Sequence, residues 1–244
     1  MSGRDYIRII SITIIGCTAA AAALFFFRSM ALEQKRAVSW RENFIPSEAL
    51  EKSPVPKGWV VKNKPGTKEA SFYIETDPET KSSYLRMEAD NASATLIGKV
   101  DGVNIKKTPI LRWRWRAITL PEGADGRSKA KDDQAIGIYV GTGGALSNKS
   151  ISYRWDTATP KGAEGTSQYG LGFVKIKWYT LRNEKDAVNR EWFTEERNVA
   201  EDFKNAWGFY PDKIYIAVSC NSQYTASRSV ADLNWIEFMS TPVK

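Results

Sequence analysis

Histidine is absent from all 244 residues of the chain. That absence excludes a Ser-His-Asp triad, a Cys-His dyad, a histidine-bearing zinc site and a His-ligated haem. Cysteine is almost as scarce: Cys17 lies in a hydrophobic run and Cys220 in a predicted strand, so an intrachain disulfide is not expected. A concentrated basic stripe is also lacking. The net charge of +7 divides into eight Lys/Arg against five Asp/Glu before Trp59 and 27 against 23 from Trp59 onward. So mixed a surface does not fit nucleic acid, which is not expected as a partner. No internal repeat is present, and the only low-complexity tract is the short run Ala19 to Ala23.

One long apolar run is present. Ile9 to Phe27 is uncharged for 19 residues between Arg8 and Arg28, and as a helix it would be about 28 Å long, the thickness of a bilayer core. Ile9, Ile15, Phe25, Phe26 and Phe27 are the residues expected to meet lipid or a membrane partner. A cleaved signal peptide is the rival reading, because Ser29-Met30-Ala31 offers small residues to a signal peptidase and Ile14 to Cys17 loosely resembles a lipobox. The ten apolar or small residues beyond Cys17 exceed an ordinary secretory core and favour a retained anchor. Basic residues flank the run on both sides. The short N-terminal tail points to a signal anchor, with the N-terminus in the cytoplasm and the domain in the periplasm of a bacterial inner membrane.

The segments expected from these signals are a cytoplasmic tip and transmembrane helix over 1–28, a juxtamembrane connector over 29–58 and a β-sandwich over 59–244. The connector holds an amphipathic stretch with Trp40 and Phe44 at i, i+4, placed to rest on the bilayer or a partner, followed by Pro46, Pro54 and Pro56. After Trp59 the period is two. Strands are predicted over 84–89, 110–117, 135–140, 151–155, 173–181, 213–220 and 232–239, each rich in β-branched and aromatic residues. One helix is predicted from about Thr194 to Ala206, with Thr194 as N-cap, Glu195 and Glu196 in its first turn and Gly208 beyond its end. The longest loops, 121–133 and 156–172, are where a rigid β scaffold tends to carry binding groups.

The segment LRWRWRAITLPEGADGRSKAKDDQAIGIYV, residues 111 to 140, resembles the bacterial family known as domain of unknown function 3047. Ile151-Ser152-Tyr153-Arg154-Trp155, Glu195 to Val199 through Asp202-Phe203, and Ile214 to Val218 extend the likeness to roughly residues 55–240. The resemblance implies a mainly β fold, a jelly-roll or galactose-binding-like sandwich, usually exported; it supplies a fold and no activity. Where the family is expected to carry an acidic turn, this chain has Cys220-Asn221-Ser222-Gln223-Tyr224-Thr225, without a carboxylate.

Several residue groups carry candidate chemistry. Alternation along the WRWR strand places Trp113 and Trp115 on one face and Arg112, Arg114 and Arg116 on the other. The arginines read either as a cross-strand-paired face, with Asp132 and Asp133 as partners, or as a cationic face for an anionic glycan or lipid. The acids of the 121–133 loop, Glu122, Asp125, Asp132 and Asp133, could offer oxygen ligands to Ca²⁺, but they match no EF-hand spacing and are interleaved with Arg127, Lys129 and Lys131, so ordinary loop salt bridges are the preferred reading and neither metal nor cofactor is expected. Asp132, Asp133 and Glu237 are the carboxylates open to glycoside hydrolysis, yet no spacing sets a pair at the required separation. Gly141-Thr142-Gly143-Gly144 lacks the Lys-Ser/Thr of a phosphate loop and reads as a turn. Two functions fit: a non-catalytic accessory subunit docking on an integral membrane protein complex, or a membrane-tethered carbohydrate-binding or carbohydrate-processing module.

Overall fold

The computed structural model describes residues 36–46, 52–63, 66–144 and 147–241, with a compact body from Val38 to Met239. The apolar run 9–27 lies outside the described residues. Among those that are described, no helix is long and apolar enough to cross a membrane.

Strands dominate. In chain order they are β1 (Val38–Glu42), β2 (Lys52–Ser53), β3 (Val60–Lys62), β4 (Ser71–Thr76), β5 (Ser83–Asp90), β6 (Ser93–Lys99), β7 (Ile110–Thr119), β8 (Gln134–Gly144), β9 (Ser147–Trp155), β10 (Glu164–Tyr169), β11 (Val174–Arg182), β12 (Phe193–Asn198), β13 (Tyr215–Asn221) and β14 (Arg228–Met239), with one α-helix among the described residues, α1 (Val199–Trp207). The first sheet runs β12-β7-β14-β5-β4-β2, with β1 added beside β14; the second runs β10-β11-β9-β8-β13-β6-β3. The strand ladders are antiparallel except that between β9 and β11. The expected jelly-roll-like β-sandwich is therefore the architecture observed.

Period-two patterning explains how the sheets meet. In β7 Leu111, Trp113, Trp115 and Ala117 point inward and are fully buried, while Arg112, Arg114 and Arg116 point outward and are half-buried. Facing them across the sandwich are Tyr153 and Trp155 of β9. Trp113 stacks on Tyr153 with centroids 5.2 Å apart, and Trp115 meets Trp155 edge-on at 5.6 Å, both favourable aromatic geometries. Leu85, Met87, Leu96, Ile138, Val218, Leu233 and Phe238 complete the buried layer.

The structure corrects two expectations. Residues 38–46 are not an amphipathic connector but part of the sandwich. β1 pairs with the end of β14, Trp40 packs on Phe238, and Phe44 is fully buried with its ring 5.6 Å from that of Trp59. The i, i+4 spacing of Trp40 and Phe44 does not act on a helix, because the extended backbone of β1 is claimed by the unpaired side of β14. The helix also starts later than Thr194. Residues 193–198 form β12 against residues 110–115 of β7, so the chain turns helical only at Val199. Asn198 is the N-cap, accepting from Glu201 N at 3.1 Å, and Gly208 ends the helix in the left-handed region as expected.

Candidate functional site

The outer face of the second sheet is hollowed by its own sequence. Neighbours across the ladders point the same way, so rows of side chains cross the strands. One row reads Thr95, Ser219, Gly137, Arg154, Thr180; the next reads Ile97, Ala217, Tyr139, Ser152, Trp178, Gly165. Small residues in the middle of both rows leave a cleft of about 800 Å³. Its walls are β10 with Tyr169, the segment Gly170-Leu171-Gly172 and the turn carrying Gln223 and Tyr224.

Charge lies in the floor and is paired there. Arg154, 3 % exposed, pairs with Asp132 at 2.7 Å and with Asp156 at 3.0 Å, and donates to Gln134 Oε1 at 3.1 Å. Its guanidinium also lies 5.4 Å from the centre of the Trp178 ring. Burial works against the Arg154 charge, but Asp156 and Asp132 outweigh it and raise its pKa. Burial likewise raises the Asp156 carboxyl above its ordinary value, opposed by Arg154 and by hydrogen bonds from Thr159 and Thr180. The Tyr169 hydroxyl donates to Asp132 Oδ2, and burial followed by that carboxylate pushes its pKa up.

The more exposed groups of the lining are of another kind. Tyr139, Tyr169 and Tyr224 are half-buried around the cleft, with Ser93, Thr95, Gln168 and Gln223 between them and Lys129 on the rim. In the floor, Asn221 donates through Nδ2 to Asp132 O at 3.1 Å and to Asp133 Oδ1 at 3.2 Å. That fixes its amide and leaves Asn221 Oδ1 buried without a hydrogen-bond partner among the described residues.

Asp132 and Asp133 reach this region, but not as partners of the β7 arginines. Asp133 is fully buried and accepts from Tyr224 N, Thr225 N and Thr225 Oγ1. The turn without a carboxylate thus borrows one from the 121–133 loop. Arg112, Arg114 and Arg116 lie on the other sheet, where the register sets Arg112 beside Glu237, Arg114 beside Trp235 and Arg116 beside Asp232. Arg116 and Arg86 both bind the fully buried Asp232, Arg112 lies over Trp235, and Arg114 and Arg116 lie over Trp192. The face is a self-paired ladder of arginines, acids and aromatic rings. Glu237 belongs to it, 2.7 Å from Arg41, so the three candidate hydrolytic carboxylates are divided between opposite outer faces. Among the described residues no cluster of acids or Cys has the makings of a metal site.

Sequence reasoning did not single out Tyr139, Arg154, Asp156, Tyr169, Trp178 or Asn221 as site residues. The available signal was Arg154 between Tyr153 and Trp155: an arginine alternating with two core aromatics, with an aspartate next, calls for a counter-charge under the opposite face. The 156–172 segment was expected to be a loop, and it contains β10, which forms the cleft wall.

No curated protein sequence matches the chain. Among solved structures it is similar to the family 11 carbohydrate-binding module of a Clostridium thermocellum cellulosomal cellulase, at 9 % identity and TM-score 0.41, over 84 % of this chain and 97 % of that one. It is also similar to the xyloglucanase domain of NopAA from Sinorhizobium fredii, at 10 % identity and TM-score 0.47, over 83 % and 100 %. A third is the family 11 xylanase of Neocallimastix patriciarum, at 9 % identity and TM-score 0.36, over 75 % and 100 %. Residues 57–237 match a family described as protein of unknown function (DUF3047), and the chain belongs to that family.

Proposed function

We propose that the sandwich is a saccharide-binding module that works through the cleft of the second sheet. The observation that carries this reading is the division of the cleft into two layers. Its more accessible lining is tyrosine rings, hydroxyls and amides, while the charged side chains that reach its floor, Arg154 and Asp132, are buried and paired with each other, with Asp156 behind them. Sugars present that complement: apolar C–H faces for aromatic rings, and hydroxyls that both donate and accept. The unpartnered Asn221 Oδ1 is an acceptor fixed in the floor, of the kind a ligand or an ordered water satisfies.

The same proposal holds the module at a membrane through the run 9–27, on the periplasmic side, where it presents bound glycan to neighbouring membrane proteins. Its support is the length and the charge-free character of that run. A glycan array probed with the purified full-length protein in detergent tests the binding function. Retention of at least one class of oligosaccharide is expected, and a blank array would refute the reading. Extraction of bacterial membranes with carbonate tests the tether separately: the protein should stay with the pellet.

A further inference from the structure

Aromatic side chains on the outer face of the second sheet lie flat because glycines lie beneath them. A Cβ at Gly137 would stand 2.8 Å from Tyr139 Cε2 and 3.0 Å from its hydroxyl oxygen. A Cβ at Gly165 would stand 2.3 Å from Trp178 Cζ2, and one at Gly141 2.2 Å from Tyr215 Cζ. In each case an ordinary side chain would lift the ring off the sheet. The three rings then differ in what covers them. Trp178 is 4 % exposed, with Arg154 over it, and the Tyr215 hydroxyl reaches across to Asn148 Oδ1 at 2.9 Å, outside the cleft. Tyr139 is the one in the middle of the cleft, half-buried and flanked in its row by Ala217 and Ser152, neither tall enough to cover it.

The Tyr139 hydroxyl is also held from below. It accepts from Gln134 Nε2 at 3.0 Å and from Ser219 Oγ at 3.3 Å, which leaves its own proton to be donated outward. Gln134 and Ser219 are buried, so this orientation is built into the floor. Asn221, at the same end of the floor, offers only an acceptor. The underlying charges are Arg154, Asp132, Asp156 and Asp133, an excess of carboxylates. Lys129, on the solvent-exposed rim, is screened by water from the floor beneath.

We infer that the cleft takes a neutral pyranose laid with its C–H face on the Tyr139 ring, one hydroxyl accepting from Tyr139, and that it excludes acidic sugars. Stacking uses the ring face turned away from Gly137. A uronate or sulfate would bring a further negative charge to a floor whose carboxylates already outnumber its guanidinium, in a low-dielectric setting. This inference deepens the saccharide-binding reading and rests on it.

Calorimetric titration of the full-length protein decides both. The probes are neutral gluco-, xylo-, manno- and galacto-oligosaccharides, with oligogalacturonate as the acidic probe. Binding of at least one neutral oligosaccharide, with oligogalacturonate at least about tenfold weaker, is expected. If nothing binds, the saccharide reading itself falls. If oligogalacturonate binds as well as or better than the neutral probes, that reading stands and the neutral-ligand inference is overturned. Tyr139→Ala should weaken the neutral ligand by about tenfold, the size of a lost aromatic contact, whereas Tyr139→Phe should keep most of the affinity. Unchanged binding by Tyr139→Ala would eliminate the stacking platform. Because Tyr139→Phe preserves the shape of the floor, a loss there equal to that of Tyr139→Ala would also overturn stacking, assigning the effect to the hydroxyl alone.

Discussion

Removing the Arg154 charge without its bulk, as in Arg154→Met, exposes what the paired floor contributes to stability. Arg154 and Asp156 are 3 % and 0 % exposed, and Asp132 is 6 % exposed, so water replaces little of what is lost. Breaking a buried pair from one side costs about 3–5 kcal/mol, because the remaining charge is left uncompensated. For a domain of this size that corresponds to a fall in melting temperature of about 6–20 °C. The pH dependence carries the sharper test. Burial already raises the Asp156 carboxyl, and Arg154 is its largest opposing influence; without that cation the pKa rises further. A raised carboxyl pKa means that the folded state binds its proton more tightly than the unfolded one. The stabilisation from that proton is present at low pH and is lost as pH rises through the folded value. The penalty in Arg154→Met should therefore be greatest at neutral pH and shrink as the pH is lowered, and Asp156→Asn in the same background should recover part of it. Thermal and urea unfolding at several pH values would measure this. A penalty below about 1 kcal/mol at pH 7, or one indifferent to pH, would refute the account of the floor as a mutually dependent charge set.

Two other predictions test different parts of the molecule. Phe44→Ala should cost about 3–5 kcal/mol in urea unfolding, since its ring is fully buried against Trp59; a cost near zero would return Phe44 to the surface. The Asp125 carboxyl, held down first by its hydrogen bond from Arg127, should titrate at about 2 by NMR. Its stabilising share is present above the ordinary Asp pKa and is lost as pH falls towards that midpoint. Arg127→Ala should move the midpoint back towards the ordinary value, and an unmoved midpoint would refute the assignment.

The sandwich was legible because burial on one face writes a period of two into the chain. Leu111, Trp113, Trp115 and Ala117 alternate with arginines, and each strand predicted after Trp59 lies within or close to an observed one. Short edge strands were not legible. Val38–Glu42 and Glu164–Tyr169 carry little apolar pattern of their own and become strands only because β14 and β11 offer free edges. The site was hidden for a related reason: alternation shows that Arg154 faces away from Tyr153 and Trp155, but not that the register brings Asp132 and Asp156 to it. Asp132 and Asp133 stand out as a pair in the sequence, but their partners, at Arg154 and in the 221–225 turn, are distant from them along the chain.

β10 bears on how such a cleft can change. Its alternate residues are exposed, it places no side chain in the hydrophobic core, and it is joined to the rest of the sheet only through β11. Lengthening, shortening or recomposing that strand would alter the width and chemistry of one wall while leaving Trp113, Tyr153 and their neighbours packed as they are. Ligand preference can thus be retuned at a position such as Gln168, which lines the cleft and is exposed, whereas Gly165 beneath Trp178 and Tyr169 bonded to Asp132 tie the strand to the floor.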